Sequence, residues 1–285
     1  MILIADSGST KTHWCLMAAN GHCSEYFTDG INPFQQTSDA IKNSVNNQLL
    51  PKMAGEMWAG KITGVYFYGA GCTPEKIPVV AYALEDVFKG AKIEVYSDMV
   101  GAACGLLGEE KGVACILGTG ANSCLWSGKE IEKNVPALGF ILGDEGSGTV
   151  MGKMLLSDFI YNQLPPHLLK LFNEEFDTSL PEIVDRTYHK PAANRFFSSF
   201  TPFLSRHIDE EYCQGIVRYN FERLAERSLA QYDTDRLKVN FVGSVAAIFE
   251  DLLTEVLEKH GMTKGVIVRS PIDNLVKNIT RKLTK

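Results

Sequence analysis

Two stretches in different halves of the chain share one layout, and together they limit what it can fold into. In the first, the apolar run Ile2-Leu-Ile-Ala5 ends at Asp6. Small, turn-prone Ser7, Gly8, Ser9 and Thr10 follow, then Lys11 and Thr12, and His13-Trp-Cys-Leu-Met17 resumes an apolar run. In the second, Gly112-Val-Ala-Cys-Ile-Leu117 leads into Gly118-Thr-Gly-Ala-Asn122, and Ser123-Cys-Leu-Trp126 returns. Each reads as a β-hairpin with a small, hydroxyl-bearing tip. Such a tip can aim backbone N–H groups, hydroxyls and, at Lys11, an ammonium at an anion. A carboxylate beside that anion, as at Asp6, suits a hydrated Mg²⁺ better than direct phosphate contact. Taken alone, the first stretch is equally an ordinary polar turn. The pair suggests an internally duplicated unit, although no repeat is detectable over the full length.

Strand-like and helix-like segments alternate around both hairpins. Asp39–Leu50 has helical spacing. Gly64–Gly69 reads as a buried strand, Pro74–Phe88 as a helix and Lys92–Tyr96 as a strand that ends at Ser97-Asp98. The helix Met99–Leu107 is rich in small residues, which permit close packing. A helix from about Thr149 to Tyr161 follows Gly143-Asp-Glu-Gly-Ser147. Pro165–Gln231 reads as helical, including a long amphipathic stretch over Glu210–Tyr232, with Phe196, Phe197, Phe200 and Phe203 in the core and Arg186, Arg195 and Arg206 solvated. Leu237–Phe241 and Val266–Val268 read as strands, Ala246–His260 and Ile272–Leu283 as helices. The pattern is α/β in two lobes. The boundary falls near Glu109–Gly112: residues 1–110 form the N-terminal lobe and residues 111–285 the C-terminal lobe, with the last helix, about 271–285, expected to pack back toward the first.

Composition narrows the function classes. Of 285 residues, 45% are hydrophobic, enough for a sizeable core. The net charge of −6 and the lack of a Lys/Arg cluster argue against a nucleic-acid partner. No apolar run approaches the ~20 residues of a membrane span, and no signal-peptide pattern opens the chain, so a cytoplasmic protein without membrane partners is expected. The seven cysteines include no C-x-x-C pair and suggest neither a disulfide framework nor a metal cluster.

The P-loop spacing is absent, and Gly118-x-Gly120-x-x-Ser123 only half matches a dinucleotide fingerprint. The order of motifs resembles the actin/hexokinase/Hsp70 ATPases instead. Asp6–Thr12 looks like the first phosphate hairpin, Ser97-Asp98-x-x-Gly-Ala-Ala103 like the first connecting helix, Leu117–Asn122 like the second phosphate hairpin, Phe241-Val-Gly-Ser-Val245 like the adenosine motif, and the segment from Pro271 like the second connecting helix. Within that superfamily, Gly118–Ser123 and Gly143–Ser147 resemble the BadF/BadG/BcrA/BcrD type, most closely its N-acetylglucosamine kinase-like members. Where related animal enzymes carry Trp-Gly-His, this chain has Ala137-Leu138-Gly139-Phe140.

The resemblance implies a two-lobed actin-like ATPase fold made of duplicated ribonuclease H-like domains, with ATP and sugar bound in a cleft between the lobes. It implies ATP-dependent phosphorylation of an amino-sugar hydroxyl, first of all N-acetylglucosamine at its 6-position. Glucosamine, N-acetylmannosamine, N-acetylmuramic acid and glucose are alternative acceptors, and a 2-hydroxyacyl-CoA dehydratase activator is an alternative of another class. Asp98 would be the general base. Ser9, Thr10, Lys11, Thr119, Gly120 and Gly243 would hold ATP, and Mg²⁺ would bind near Asp6, largely through water. Asn32, Ala121, Asn122, Gly139 and Asp144, with Asp98, would contact the sugar. Two plain readings stand beside these roles: Asn32 as a turn-former, and Asp98 and the Asp144-Glu145 pair as helix caps. The helices of 165–231 offer a surface on which two copies could form a homodimer.

Overall fold

The structure, a computed structural model, describes residues 1–18, 21–53 and 62–284. It divides into two compact units: Met1–Glu110 with Trp126–Ile131 and Ser270–Lys285, and Lys111–Leu125 with Glu132–Arg269. Among the described residues no helix is long and apolar enough to cross a membrane.

The first unit is built on a five-stranded sheet in the order β3-β2-β1-β4-β5. Its strands are β1 (Ile2–Ser7), β2 (Lys11–Met17), β3 (Cys23–Asp29), β4 (Gly64–Gly69) and β5 (Lys92–Ser97). β2 runs antiparallel to β1 and β3, while β4 is parallel to both β1 and β5. Successive strand residues point to opposite faces. Leu3 and Ala5 therefore join one core with Trp14, Leu16, Val65 and Phe67, and Ile4 joins another with Cys15, Tyr68, Ile272 and Leu275. Covering both faces explains why ILIA is a continuous apolar run rather than an alternating one. Burying a side chain such as Phe67 stabilises the unit by roughly 2–3 kcal/mol.

The small residues of the helix Asp98–Leu107 work as the sequence suggests. A Cβ on Gly101 would stand 2.8 Å from Tyr68 Cβ, and one on Gly105 would stand 2.6 Å from Pro271 Cβ. The helix therefore lies directly on β4 and on the start of the closing helix Ile272–Thr284. Asn274 and Asn278 of that helix donate to the carbonyls of Gly105 and Cys104, at 2.7 and 2.6 Å.

The second unit repeats the topology. Its sheet has the order β10-β9-β6-β7-β8, with β6 (Gly112–Leu117), β7 (Ala121–Trp126), β8 (Ile131–Val135), β9 (Val239–Val242) and β10 (Lys264–Val268). Written outward from its first strand, each sheet has a hairpin pair on one side and two later strands on the other. Val113, Cys115 and Leu117 pack with Leu155, Phe221 and Phe241, and the predicted Phe196, Phe197, Phe200 and Phe203 are buried in the same core.

Several expectations are corrected. Cys23–Asp29 and Ile131–Val135 are strands that the apolar pattern did not announce, and both lie at sheet edges. The helix expected from Pro74 begins at Ile77, with Pro78 in its first turn. The single long helix expected over Glu210–Tyr232 ends at Arg227 and is followed by a 3₁₀ turn, Leu229–Gln231. The helix expected over Ala246–His260 is two, Ser244–Ile248 and Glu250–Lys259, broken at Phe249. Arg195 is not simply solvated, because its Nε is buried without a hydrogen-bond partner among the described residues. Arg186 lies 5.2 Å from the centre of the Phe196 ring.

Candidate active site

The predicted site residues fall into two groups, one in each unit. In the first unit, alternation along β1 separates Asp6 from Ser7. Ser7 points with Leu3 and Ala5, is fully buried, and shares a 2.7 Å hydrogen bond with the Thr12 hydroxyl. Ser7 Oγ also accepts the Ile31 N–H at 3.0 Å, and the Thr12 hydroxyl donates to the Asp29 carbonyl at 3.0 Å. These two hydroxyls fasten the base of the hairpin to the following loop. The tip itself, Gly8–Lys11, stands outward: Gly8, Thr10 and Lys11 are exposed and Ser9 half-buried. Lys11 Nζ lies 5.5 Å from the centre of the Phe27 ring.

Asp6 points to the opposite face, with Ile4. Burial pushes its carboxyl up to about 7, the Asp98 carboxylate adds to the rise, and Lys11 and a hydrogen bond from Ser270 oppose it. Ser270 Oγ also lies 3.4 Å from His13 Nδ1. Asp98 follows β5 and opens the helix Asp98–Leu107. Burial raises its carboxyl to about 6, against a hydrogen bond from the Met99 N–H at 2.8 Å. The N-cap of that helix is Ser97, whose Oγ accepts the Val100 N–H at 3.3 Å. Ser97 is thus the N-cap, and Asp98 adds a second side-chain acceptor in the first turn. Asp6 and Asp98 both stand at the carboxyl ends of parallel strands, where open α/β sheets bind ligands.

Asn32 does the work of a turn-former. Its Oδ1 accepts the Phe34 N–H at 3.0 Å, and its carbonyl accepts those of Gln35 and Gln36. Gly71, at φ +76°, leaves room for that amide: a Cβ there would stand 2.4 Å from Asn32 Oδ1.

In the second unit, the hairpin tip is latched from behind. The carbonyls of Gly118 and Thr119 accept the N–H groups of Gly148 and Thr149, at 2.9 and 3.2 Å, and the Thr149 hydroxyl donates to Thr119 at 2.6 Å. The first N–H groups of the helix Gly148–Ile160 are thereby used by the protein itself. Gly243, at φ +126°, passes so close that a Cβ would stand 2.1 Å from the Leu117 carbonyl oxygen. No residue but glycine fits there.

Asp144 has a left-handed backbone, φ +62°, which costs a non-glycine residue energy and marks a constrained position. Its carboxylate accepts the Ala121 N–H, while burial and Glu145 raise its pKa and Lys153 lowers it. A Cβ on Gly120 would stand 3.2 Å from Asp144 Oδ2. The cap of the following helix is Ser147, at 3.3 Å from the Val150 N–H, so neither Asp144 nor Glu145 is a cap. Asn122 Oδ1 accepts from the Ser123 N–H at 2.9 Å and from Asn134 Nδ2 at 3.0 Å.

Ala121, Asn122 and Asp144 line a cavity of about 330 Å³, within the size range of small-molecule sites. Val135–Leu138 line it too, as do Leu224, Arg227, Ser228 and Gln231. Gly139 is not among its lining residues; it starts the short helix Gly139–Leu142. The sequence reading missed Ser270, Arg227 and Gln231. Ser270 sits in the short connection between β10 and the closing helix, before Pro271, and the other two sit in an unremarkable amphipathic segment, so no local signal marks them. Among the described residues, no group of three His, Cys, Asp or Glu side chains is arranged to hold a metal. Cys115 and Cys124 are fully buried.

No protein-family model matches the chain, and no curated protein matches it. Solved structures do. A protein from Porphyromonas gingivalis described as a putative N-acetylglucosamine kinase aligns with a TM-score of 0.94 and 41% identity, over 99% of this chain and 100% of that one. A protein of the same description from Chromobacterium violaceum aligns with a TM-score of 0.73 and 15% identity, over 98% of each chain. Component A of (R)-2-hydroxyglutaryl-CoA dehydratase from Acidaminococcus fermentans aligns with a TM-score of 0.52 and 12% identity, over 100% of this chain and 99% of that one. The last two share the fold, that of the actin-like ATPases. With a relative 41% identical along its whole length, the chain belongs to the N-acetylglucosamine kinase-like family of the Porphyromonas gingivalis protein.

Proposed function

We propose that this protein is a sugar kinase that transfers the terminal phosphoryl group of ATP to an amino-sugar hydroxyl, N-acetylglucosamine becoming N-acetylglucosamine 6-phosphate. The observation that carries the proposal is the full-length kinship at 41% identity with a protein described as such a kinase. Phosphoryl transfer asks a protein chiefly for positioning and charge neutralisation. It also needs one proton removed from the attacking hydroxyl.

Asp98 is assigned that proton. A carboxyl with a pKa of about 6 is ionised at neutral pH, yet is a stronger base than an ordinary aspartate. Ser9, Thr10, Lys11, Thr119 and Gly120 are assigned to the phosphates, and Gly243 to the close passage of the nucleotide. Asn122 and Asp144, in the cavity with the Ala121 backbone, are assigned to the sugar hydroxyls, together with Asn32 and Gly139.

Asp6 fits a hard divalent cation. Its carboxyl oxygens are the right donors, and the Asp98 charge that raises its pKa is one a cation would offset. With no three-ligand set among the described residues, phosphate oxygens and water would complete the shell of Mg²⁺. Bound there, the ion would neutralise phosphate charge.

Purified protein incubated with ATP, Mg²⁺ and a panel of sugars, with ADP release as the readout, tests the proposal. Release should be stimulated by N-acetylglucosamine above glucosamine, N-acetylmannosamine, N-acetylmuramic acid and glucose. A panel in which no amino sugar stimulates release would remove it.

A further inference from the structure

The acidic turn at Asp144 is held by a helix far away in sequence. Asn220, Leu224 and Arg227 of the helix Glu211–Arg227 are spaced four and three residues apart, so they share one face. All three meet the turn. Asn220 Oδ1 accepts the Gly146 N–H at 2.9 Å, and its Nδ2 donates to the Ser147 carbonyl at 3.1 Å. Leu224 fills the space at Gly146, where a Cβ would stand 2.8 Å from Leu224 Cδ2. Arg227 forms an ion pair with Glu145.

Three features distinguish this from ordinary packing. Asn220 is 1% exposed, and a buried amide is costly unless its polar atoms are bonded. Both of these side-chain bonds go to the main chain of the turn, not to its own helix. The turn holds Asp144 at φ +62°, a conformation that a non-glycine residue keeps only where the surroundings impose it. The same helix end supplies Leu224 and Arg227 to the wall of the cavity that Asp144 lines.

We infer that Asn220 is a positioning residue for sugar recognition: its amide fixes the Gly146–Ser147 main chain and thereby holds the Asp144 carboxylate over Gly120 and the Ala121 N–H. The inference rests on the assignment of Asp144 to the sugar. It gives Asn220 no contact with the reacting atoms, so its loss should act on sugar binding and not on the chemical step.

A double-mutant cycle in the whole protein separates positioning from general stability. Asn220→Ala should raise KM and Kd for N-acetylglucosamine by roughly 10-fold or more, with kcat and the KM for ATP within about threefold of wild type. Asp144→Ala should cost sugar affinity by itself. Adding Asn220→Ala to Asp144→Ala should then cost little further, within about twofold, because the group being positioned is gone. Losses that multiply, or an ATP KM that rises in step with the sugar KM, would overturn the inference. If Asn220→Ala does not fold cooperatively, Asn220→Ser, which keeps a hydroxyl for one of the two bonds, replaces it in the same cycle. A wild-type protein that binds no amino sugar would instead sink the assignment of Asp144, and the inference with it.

Discussion

The Asp98 carboxylate, just beyond β5, acts on Asp6 at the end of β1 strongly enough to help hold the Asp6 carboxyl at about 7. Burial raises both groups by more than Lys11, Ser270 and the Met99 N–H lower them. A folded-state pKa above the unfolded value of 3.8 means that the folded state holds its proton more tightly. The stability contributed by that proton is present below pH ~4 and is lost as pH rises through about 6 for Asp98 and about 7 for Asp6.

Removing either charge should therefore stabilise the protein at pH 7.5 while damaging function. Asp98→Asn should raise Tm by a few degrees, for a gain on the order of 1–3 kcal/mol. Its kcat should fall by a factor on the order of 10²–10⁴, with sugar affinity largely kept. Scanning calorimetry and steady-state kinetics on one preparation check both halves. Near-wild-type turnover would remove Asp98 from the role of base.

The pH profile follows from the same pair. As pH falls, the kcat/KM of the free enzyme should begin to drop through about 7, where Asp6 takes a proton, and drop more steeply below about 6, where Asp98 does so too. Ser270→Ala removes a hydrogen bond that lowers the Asp6 pKa, so it should move the acid limb upward. An unchanged limb would show that Asp6 does not titrate with activity.

Much of this architecture was legible in the chain because its central strands are covered on both faces. Ile2–Ala5 and Gly112–Leu117 must then be apolar throughout, and they announce themselves. Cys23–Asp29 and Ile131–Val135 sit at sheet edges, where one side of the strand pairs with nothing and polar residues are tolerated. Their pattern resembles a loop. Asp6, Asp98 and Asp144 stood out as candidates from their motifs, at a strand end, a helix start and an acidic turn. What holds them was not. Ser270 reaches Asp6, and Asn220 reaches the turn at Asp144, across long sequence separations, and each is an ordinary polar residue in its local context.

Gly243→Ala tests the close passage at the second hairpin. The added methyl would meet the Leu117 carbonyl oxygen at a φ that only glycine adopts readily. The cost should be on the order of 3 kcal/mol, seen as a lower Tm and as weakened nucleotide use. A variant as stable as wild type would mean that β6 and Gly243 can move apart.

Thr10→Ala and Lys11→Ala probe the exposed tip of the first hairpin. The carbonyls of Thr10 and Lys11 accept the Gly30 and Gly8 N–H groups, and alanine keeps those main-chain bonds, while the side-chain bonds of Ser7 and Thr12 are untouched. Both substitutions should leave Tm within about 1 °C, because surface changes away from packed features cost little. Each should raise the KM for ATP while the KM for the sugar stays nearly constant.

The most direct test of the central proposal is ³¹P NMR of a reaction containing the protein, ATP, Mg²⁺ and N-acetylglucosamine. Transfer to the 6-hydroxyl predicts loss of the γ-phosphate signal, growth of ADP and of a single sugar phosphomonoester coupled to the two protons on C6, and no comparable product with Asp98→Asn. ATP consumed to free phosphate, or left intact whether or not the sugar is present, would contradict it.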